Sequence, residues 1–287
     1  MSDDRISKAV LITGCSTGIG RVTAERLLAS GWKVTATARR VDTIKDLGEA
    51  GARVLPLDVT EEASMTAAVA EVEQAEGAVG VLINNAGYGL QGPVEEFPMD
   101  EVRRQFETNV FGLIRMCQLV LPGMRRQGWG RIVNLSSIGG KVTFPGGGLY
   151  HGSKYAVEAI SDALRFEVRP FGVKVILVEP GTVTTPFGDA ALSSIPEMTD
   201  SGPYAAFKEG LAGTIKGAYE GSMSRIAITP EKVAATIEKA ITARRPRARY
   251  PVGAAARSGI AMKRILPDRA LDAVMRAQFK SPSPSDS

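Results

Sequence analysis

Short apolar runs at residues 8–13, 33–38, 53–57, 81–83, 131–135, 174–178 and 249–252 alternate along this chain with stretches of helical periodicity. Neighbouring parallel strands need a long crossover, usually a helix, so strands interleaved with helices imply a parallel sheet covered on both faces. The expected fold is a single α/β domain over residues 1–280, with a doubly wound Rossmann-type sheet of about seven strands. A length of 287 residues with 44% hydrophobic content fills one such core without requiring a second. After Pro186 the alternation lapses, and Tyr204, Phe207, Leu211, Ile215 and Tyr219 recur at helical spacing. Residues 186–225 therefore read as a helical flap over a cleft, or equally as an amphipathic helix packed on the body. The Ser/Pro-rich end, 281–287, has nothing to bury and is expected to be disordered.

Composition excludes several classes. Cys15 and Cys117 are too few for a disulfide framework or a metal site and read as small reduced residues. Acids and the single histidine do not cluster at ligand spacing, so no metal is implied. Nothing resembles a signal peptide, and no run approaches the ~20 apolar residues of a membrane span, so the expected location is cytoplasmic. The net charge is only +4, yet residues 241–270 hold eight Lys or Arg against one Asp. Arg244, Arg245, Arg247 and Arg249 are the densest part and read as a solvated face, with contact to a phosphate or an anionic membrane as the sharper alternative. No aromatic interleaving supports nucleic-acid binding.

In open parallel sheets, ligands bind outside the carboxyl ends of the strands. Gly14, Gly18 and Gly20 bracket the turn after the first strand, in the run Thr13, Gly14, Cys15, Ser16, Thr17, Gly18, Ile19, Gly20. Missing side chains let backbone approach a pyrophosphate there, and the N-terminus of the following helix adds partial positive charge. At the end of the second strand, where NAD-binding chains often place a ribose-binding carboxylate, stands Ala38, followed by Arg39 and Arg40. A guanidinium can clamp a 2′-phosphate and stack on adenine, so the expected cofactor is NADP(H) in preference to NAD(H). Asp58, beside Val59 after the third strand, offers a carboxylate to an adenine amino group, or else acts as a helix N-terminal acid.

Tyr150 and Lys154 stand four residues apart, thirteen after Ser137 in the tyrosine's case. On a helix, positions i and i+4 share a face with Cβ atoms roughly 6 Å apart. The spacing predicts an ammonium that stabilises a phenolate, so that a side chain with an ordinary pKa of ~10 becomes a usable acid or base. His151, one residue on, is expected to face away from the chemistry as a surface or interface residue. Tyr155 reads as packing.

With these motifs the chain resembles the short-chain dehydrogenase/reductase family, especially its 17β-hydroxysteroid and retinol dehydrogenase-like branch, over about residues 8–253. The glycine run is similar to the family's own, and Asn84, Asn85, Ala86 and Gly87 match the turn after its fourth strand. The resemblance implies that Asn84 and Gly87 shape the wall near the nicotinamide ribose. It implies a catalytic set of Asn109, Ser137, Tyr150 and Lys154, with Lys154 on the ribose hydroxyls, Ser137 on the substrate oxygen and Asn109 holding a water. Pro180, Gly181, Val183 and Thr185 resemble the loop that holds the carboxamide. A homodimer or homotetramer is implied through helices near 100–126 and 149–171.

Phe187, Tyr204, Phe207, Leu211 and Tyr219 suggest an apolar cleft for a small lipophilic carbonyl or alcohol. Reduction is the expected direction, since NADPH pools are kept reduced. Rival readings are a non-catalytic NADP(H)-binding redox sensor and a membrane-associated alcohol dehydrogenase docked through residues 244–264.

Overall fold

Seven strands, β1 (Val10–Ile12), β2 (Val34–Ala38), β3 (Arg53–Pro56), β4 (Val81–Asn84), β5 (Gly130–Leu135), β6 (Val173–Pro180) and β7 (Arg249–Val252), lie in the order β3-β2-β1-β4-β5-β6-β7. Every neighbouring pair is parallel. The computed structural model describes residues 6–196, 202–219 and 227–278. The terminal tail, and residues 197–201 and 220–225 of the expected flap, lie outside the described residues.

Alternation along β1 shows how the two layers form. Val10 and Ile12 point into a cluster with Ala24 and Leu27 of α1 (Gly18–Ala29), Leu47 of α2 (Lys45–Glu49) and Ile237 of α9 (Pro230–Thr242). Leu11 points the other way. It meets Val69 of α3 (Glu62–Glu76), Met116 and Val120 of α5 (Gly112–Gln127) and Val157 of α6 (Gly148–Glu167). Successive strand residues face opposite sides, so a strand buried on both faces is apolar at every position. Leu11, like the other fully buried leucines, contributes about 1.5–3 kcal/mol by leaving water.

The chain runs outward from β1 to β3, then returns to lay β4 on the other side of β1. This reversal opens a crevice between the carboxyl ends of β1 and β4. Between β4 and β5, α4 (Met99–Phe106) joins α5 through a π-helical turn at Glu107–Phe111. α9 packs on the same face as α1 although β6 to β7 runs in the opposite direction along the sheet. That crossover is therefore left-handed, against the usual rule for parallel strands. The long connection at 181–229 makes it feasible by crossing the carboxyl edge first, and there it forms α7 (Phe187–Ser193) and α8 (Ala205–Tyr219). After β7, α10 (Ala254–Ile265) and α11 (Asp268–Gln278) fold back, and Leu271 and Met275 cover Val142 and Phe144 beside the carboxyl edge.

The candidate active site

The glycine turn is built for backbone approach. Gly14 and Gly18 hold φ of 74° and 61°, in the left-handed region that favours glycine. A Cβ on Gly14 would lie 3.0 Å from the Ala86 Cα, and one on Gly18 would lie 3.3 Å from Thr185 Cγ2. Thr17 caps α1 without a side-chain hydrogen bond, and no acid stands in the first turn. The leading N–H groups there suit an anion. Ser16 and Ile19 are half-buried along the same turn.

Asn85 braces this turn from β4. Its Nδ2 donates to the carbonyls of Thr13 at 2.9 Å and Gly14 at 2.8 Å, while Thr13 Oγ1 accepts the N–H groups of Asn85 and Ala86, both at 3.0 Å. The two strand ends at the crevice are thus stitched together. Asn84, expected at the ribose wall, is instead buried beneath it and donates to Asn134 Oδ1 at 2.9 Å. Strand alternation turns neighbouring residues to opposite sides, so only one of the two asparagines can face the turn.

Lys154 is buried, and its Nζ donates to the Leu135 carbonyl at 2.8 Å. Burial pulls its pKa down to about 8, and the charge of Glu158 opposes the fall. Gly87 keeps the space in front of it open: a Cβ there would lie 3.0 Å from Asn109 Oδ1 and 3.7 Å from Lys154 Nζ. Asn109 sits in the π-helical turn, where its Nδ2 donates to the Tyr88 carbonyl at 2.8 Å and to Ser153 Oγ at 3.0 Å. Its Oδ1 accepts from Tyr88 N at 3.1 Å. The side chain is thus spent on clamping the segment after β4 to α6.

Ser137 Oγ accepts the Gly139 N–H at 3.0 Å, which leaves its proton free for the phenol of Tyr150. Ser136 is buried and turned away from that phenol toward Gly140 and Glu158. The expectation that Lys154 lowers the Tyr150 pKa needs correction. The two share one face of α6, but the ammonium is aimed at Leu135 and lies 5.9 Å from the ring centroid. Burial dominates and pushes the phenol up to about 12, against the downward pull of the Ser137 hydrogen bond. The residue as a whole is half-buried, packed against Phe187 and hydrogen-bonded to Ser137.

The remaining positions lie along the same carboxyl edge. Arg39 is exposed at the end of β2 and makes no ion pair among the described residues. Asp58 Oδ1 accepts from Thr60 N at 3.0 Å and Thr60 Oγ1 at 2.8 Å, and Val59 is buried beside Gly112. Pro180 ends β6, and Gly181 N donates to the Val252 carbonyl at 3.1 Å. Next, Val183 forms an isolated parallel bridge with Ile228, through Ile228 N to Thr182 O and Thr184 N to Ile228 O, each 2.9 Å. This pins the loop and sets Thr185 against Gly18. No apolar periodicity marks a one-residue bridge, and sequence reasoning missed it.

Phe187 packs on Tyr150 with ring centroids 5.5 Å apart, and Gly89 and Tyr219 complete the wall. His151, expected at a surface, is buried. Its Nδ1 accepts the Phe144 N–H at 3.2 Å, and its ring packs between Gly139 and Gly147, where no side chains compete for the space. Burial lowers its pKa to about 4, which keeps it neutral at pH 7. Tyr155 is exposed and lines a groove of about 820 Å³ with Val94, Phe144, Tyr204 and Phe207. Ser137, Tyr150 and Lys154 do not line this groove, which lies across the 143–148 loop from them.

Residues 8–195 match the short chain dehydrogenase family profile. Over 272 residues the chain is 34% identical to the uncharacterized oxidoreductase YbbO of Escherichia coli, covering 94% of this chain and 95% of that protein. It is 39% identical over 244 residues to 3-ketodihydrosphingosine reductase of Bacteroides thetaiotaomicron (85% and 87% covered) and 38% identical over 256 residues to human 17-beta-hydroxysteroid dehydrogenase type 1 (84% and 76%). A Streptomyces avermitilis short-chain dehydrogenase structure superposes with a TM-score of 0.78 at 35% identity, covering 94% of both chains. A serine dehydrogenase complexed with NADP+ gives 0.74 at 27% identity, with 85% and 94% covered. A Burkholderia phymatum enzyme in complex with NAD gives 0.76 at 26%, with both chains fully covered. The chain belongs to the short-chain dehydrogenase/reductase family and is an oxidoreductase.

The residues present fit a dinucleotide: positive-φ glycines at the first turn, an uncapped helix N-terminus, and a buried ammonium with open space before it. Gly20→Ala tests the cradle, because its Cβ would strike the Gly14 carbonyl and the Asn85 amide. The variant should bind NADPH at least about tenfold more weakly in a fluorescence titration, given the clash with backbone. Unchanged affinity in a folded variant would contradict the assignment.

Proposed function

We propose that this protein is an NADP(H)-dependent oxidoreductase of the CH–OH class that reduces a lipophilic ketone or aldehyde to its alcohol. The observation that carries the proposal is the Ser137, Tyr150 and Lys154 set gathered at the carboxyl edge beside the glycine turn. A bound NADPH would supply the hydride. The protein's own task is to hold the carbonyl and deliver a proton. Ser137 and Tyr150 converge on one point, where both hydroxyls can hydrogen-bond a substrate oxygen. As negative charge gathers on that oxygen, the Tyr150 proton passes to it, because a weak phenolic acid becomes an effective donor to an alkoxide. Lys154 stands one turn away to stabilise the phenolate left behind. The same groups run in reverse for alcohol oxidation.

The apolar wall of Phe187 and Tyr219, with the adjoining groove, suits a bulky substrate and excludes water from the reacting carbon. The name of the 3-ketodihydrosphingosine reductase relative supports a long-chain ketone. Preference for NADP(H) is supported by Arg39, exposed and without an ion pair among the described residues, and by Ala38 where a carboxylate would repel a 2′-phosphate.

A panel of long-chain ketones, steroids, retinoids and aldehydes with NADPH tests the chemistry. Tyr150→Phe should abolish turnover on every active substrate while NADPH still binds; wild-type rates in that variant would end the catalytic assignment. Arg39→Ala tests the cofactor half. A charge-assisted contact is worth about 1.5–3 kcal/mol, so the KM for NADPH should rise about tenfold or more while that for NADH stays within about twofold. Equal changes for both cofactors would contradict the preference.

A further inference from the structure

Tyr150, Lys154 and Glu158 occupy successive turns on one face of α6. Glu158 has no part in the chemistry above, yet its side chain is only 5% exposed. Facing it from β6, Glu179 is 2% exposed and directly precedes the Pro180 and Gly181 turn. Two carboxylates this near and this dry cannot both ionise without compensation.

Compensation comes from three elements. Arg249 on β7, which the sequence placed on a solvated face, turns inward: its Nε lies 3.0 Å from Glu158 Oε2 and 3.2 Å from Glu179 Oε1. Its Nη2 lies 2.6 Å from Asp162 Oδ2, one turn further along α6, and Asp162 also takes Arg165 at 2.5 Å. From the turn after β5, Lys141 Nζ lies 2.6 Å from Glu158 Oε2. Lys154 completes the charges around the pair. Despite these cations, Glu158 Oε1 and Glu179 Oε1 are both buried without a hydrogen-bond partner, and Glu179 stands within hydrogen-bonding reach of Glu158. One proton between the two carboxyls makes one an O–H donor and leaves the other an acceptor, in place of two like charges buried side by side.

We propose that Glu158 and Glu179 share one proton at neutral pH and act as a positioning pair for Lys154. The pair locks the catalytic helix to the strand that carries Pro180 and Gly181, and it keeps a single negative charge one turn below the ammonium. Its kinetic half rests on the oxidoreductase reading; its proton does not. Two shifts agree with it. Burial, and then the charge of Glu158, pushes Glu179 up to about 7, against the pull of Lys141 and Arg249. Burial draws Lys154 down, and Glu158 holds it up. Because the folded value of Glu179 lies above its ordinary 4.5, the native state keeps a proton that the unfolded chain releases. The resulting stability is fully present below that ordinary value and is lost as pH rises through about 7.

Thermal melts of the dinucleotide-free protein between about pH 5 and 8, compared for wild type and Glu179→Gln, read the proton. The wild-type Tm should fall relative to that of Glu179→Gln, which is neutral at every pH, as pH rises through about 7, because the opposite contribution of buried His151 is common to both proteins. A Tm difference between wild type and Glu179→Gln that stays constant with pH overturns the shared proton. Kinetics of Glu158→Gln read the positioning. Loss of the charge beside Lys154 should lower kcat/KM at least about tenfold more at pH 9 than at pH 6, since the ammonium deprotonates earlier. An equal loss at every pH marks Glu158 as a scaffold residue and overturns positioning. If no substrate turns over in the wild type, the kinetic half falls together with the oxidoreductase reading while the melts still decide the proton. Should either variant fail to fold, infrared spectra of the wild type with ¹³C-labelled glutamate read the protonated carboxyl at pH 6; its absence overturns the proposal.

Discussion

One hydrogen bond sets the geometry of the site: Lys154 Nζ on the carbonyl of Leu135, the last residue of β5. An ammonium this deeply buried cannot be left unpaired without a cost of about 3–5 kcal/mol, so the bond fixes the register of α6 against the sheet edge. Two residues beyond Leu135 stands Ser137, and one turn before Lys154 stands Tyr150. Fixing that register brings the two hydroxyls together. Ser153 and Asn109 anchor the same helix to the segment after β4, so the ends of β4 and β5 converge on the helix that carries Tyr150.

The wall opposite is made by residues that arrive late in the chain. The 181–229 connection leaves β6, is pinned by the bridge between Val183 and Ile228, and lays α7 and α8 over the carboxyl edge. Phe187 then meets Tyr150 directly. Burial of the phenol follows from this cover, and it explains why the free protein keeps Tyr150 protonated. In the mechanism we propose, Lys154 contributes by standing one turn from the charge that forms when the proton leaves, rather than by acidifying the resting phenol.

The parallel sheet was legible because strands such as β1 are buried on both faces and so leave unbroken apolar runs. β7 left only a short Arg-Tyr-Pro-Val run, read as a final short strand, and its parallel pairing with β6 comes from contacts distant in sequence. The glycine turn, Ser137, Tyr150 and Lys154 were legible because local spacing carries their meaning. What escaped depends on contacts distant in sequence. His151 is buried because two glycines, Gly139 and Gly147, make room for its ring, and spacing along α6 alone does not show this. The pleat turns Asn85, not Asn84, toward the glycine turn. Arg249 sits within a basic run, and only its pairing with β6 turns it toward Glu158 and Glu179. The π-helical turn under Asn109 has no sequence period of its own to announce it.

The most direct test of the central claim follows the Tyr150 phenol itself. Ultraviolet difference titration of wild type against Tyr150→Phe, free and saturated with NADP+, reads its ionisation in both states. In the free protein the phenol should titrate near 12. With the cationic nicotinamide beside it and Lys154 one turn away, it should titrate lower by about one unit or more. The same value in both states would contradict an active site organised around this proton.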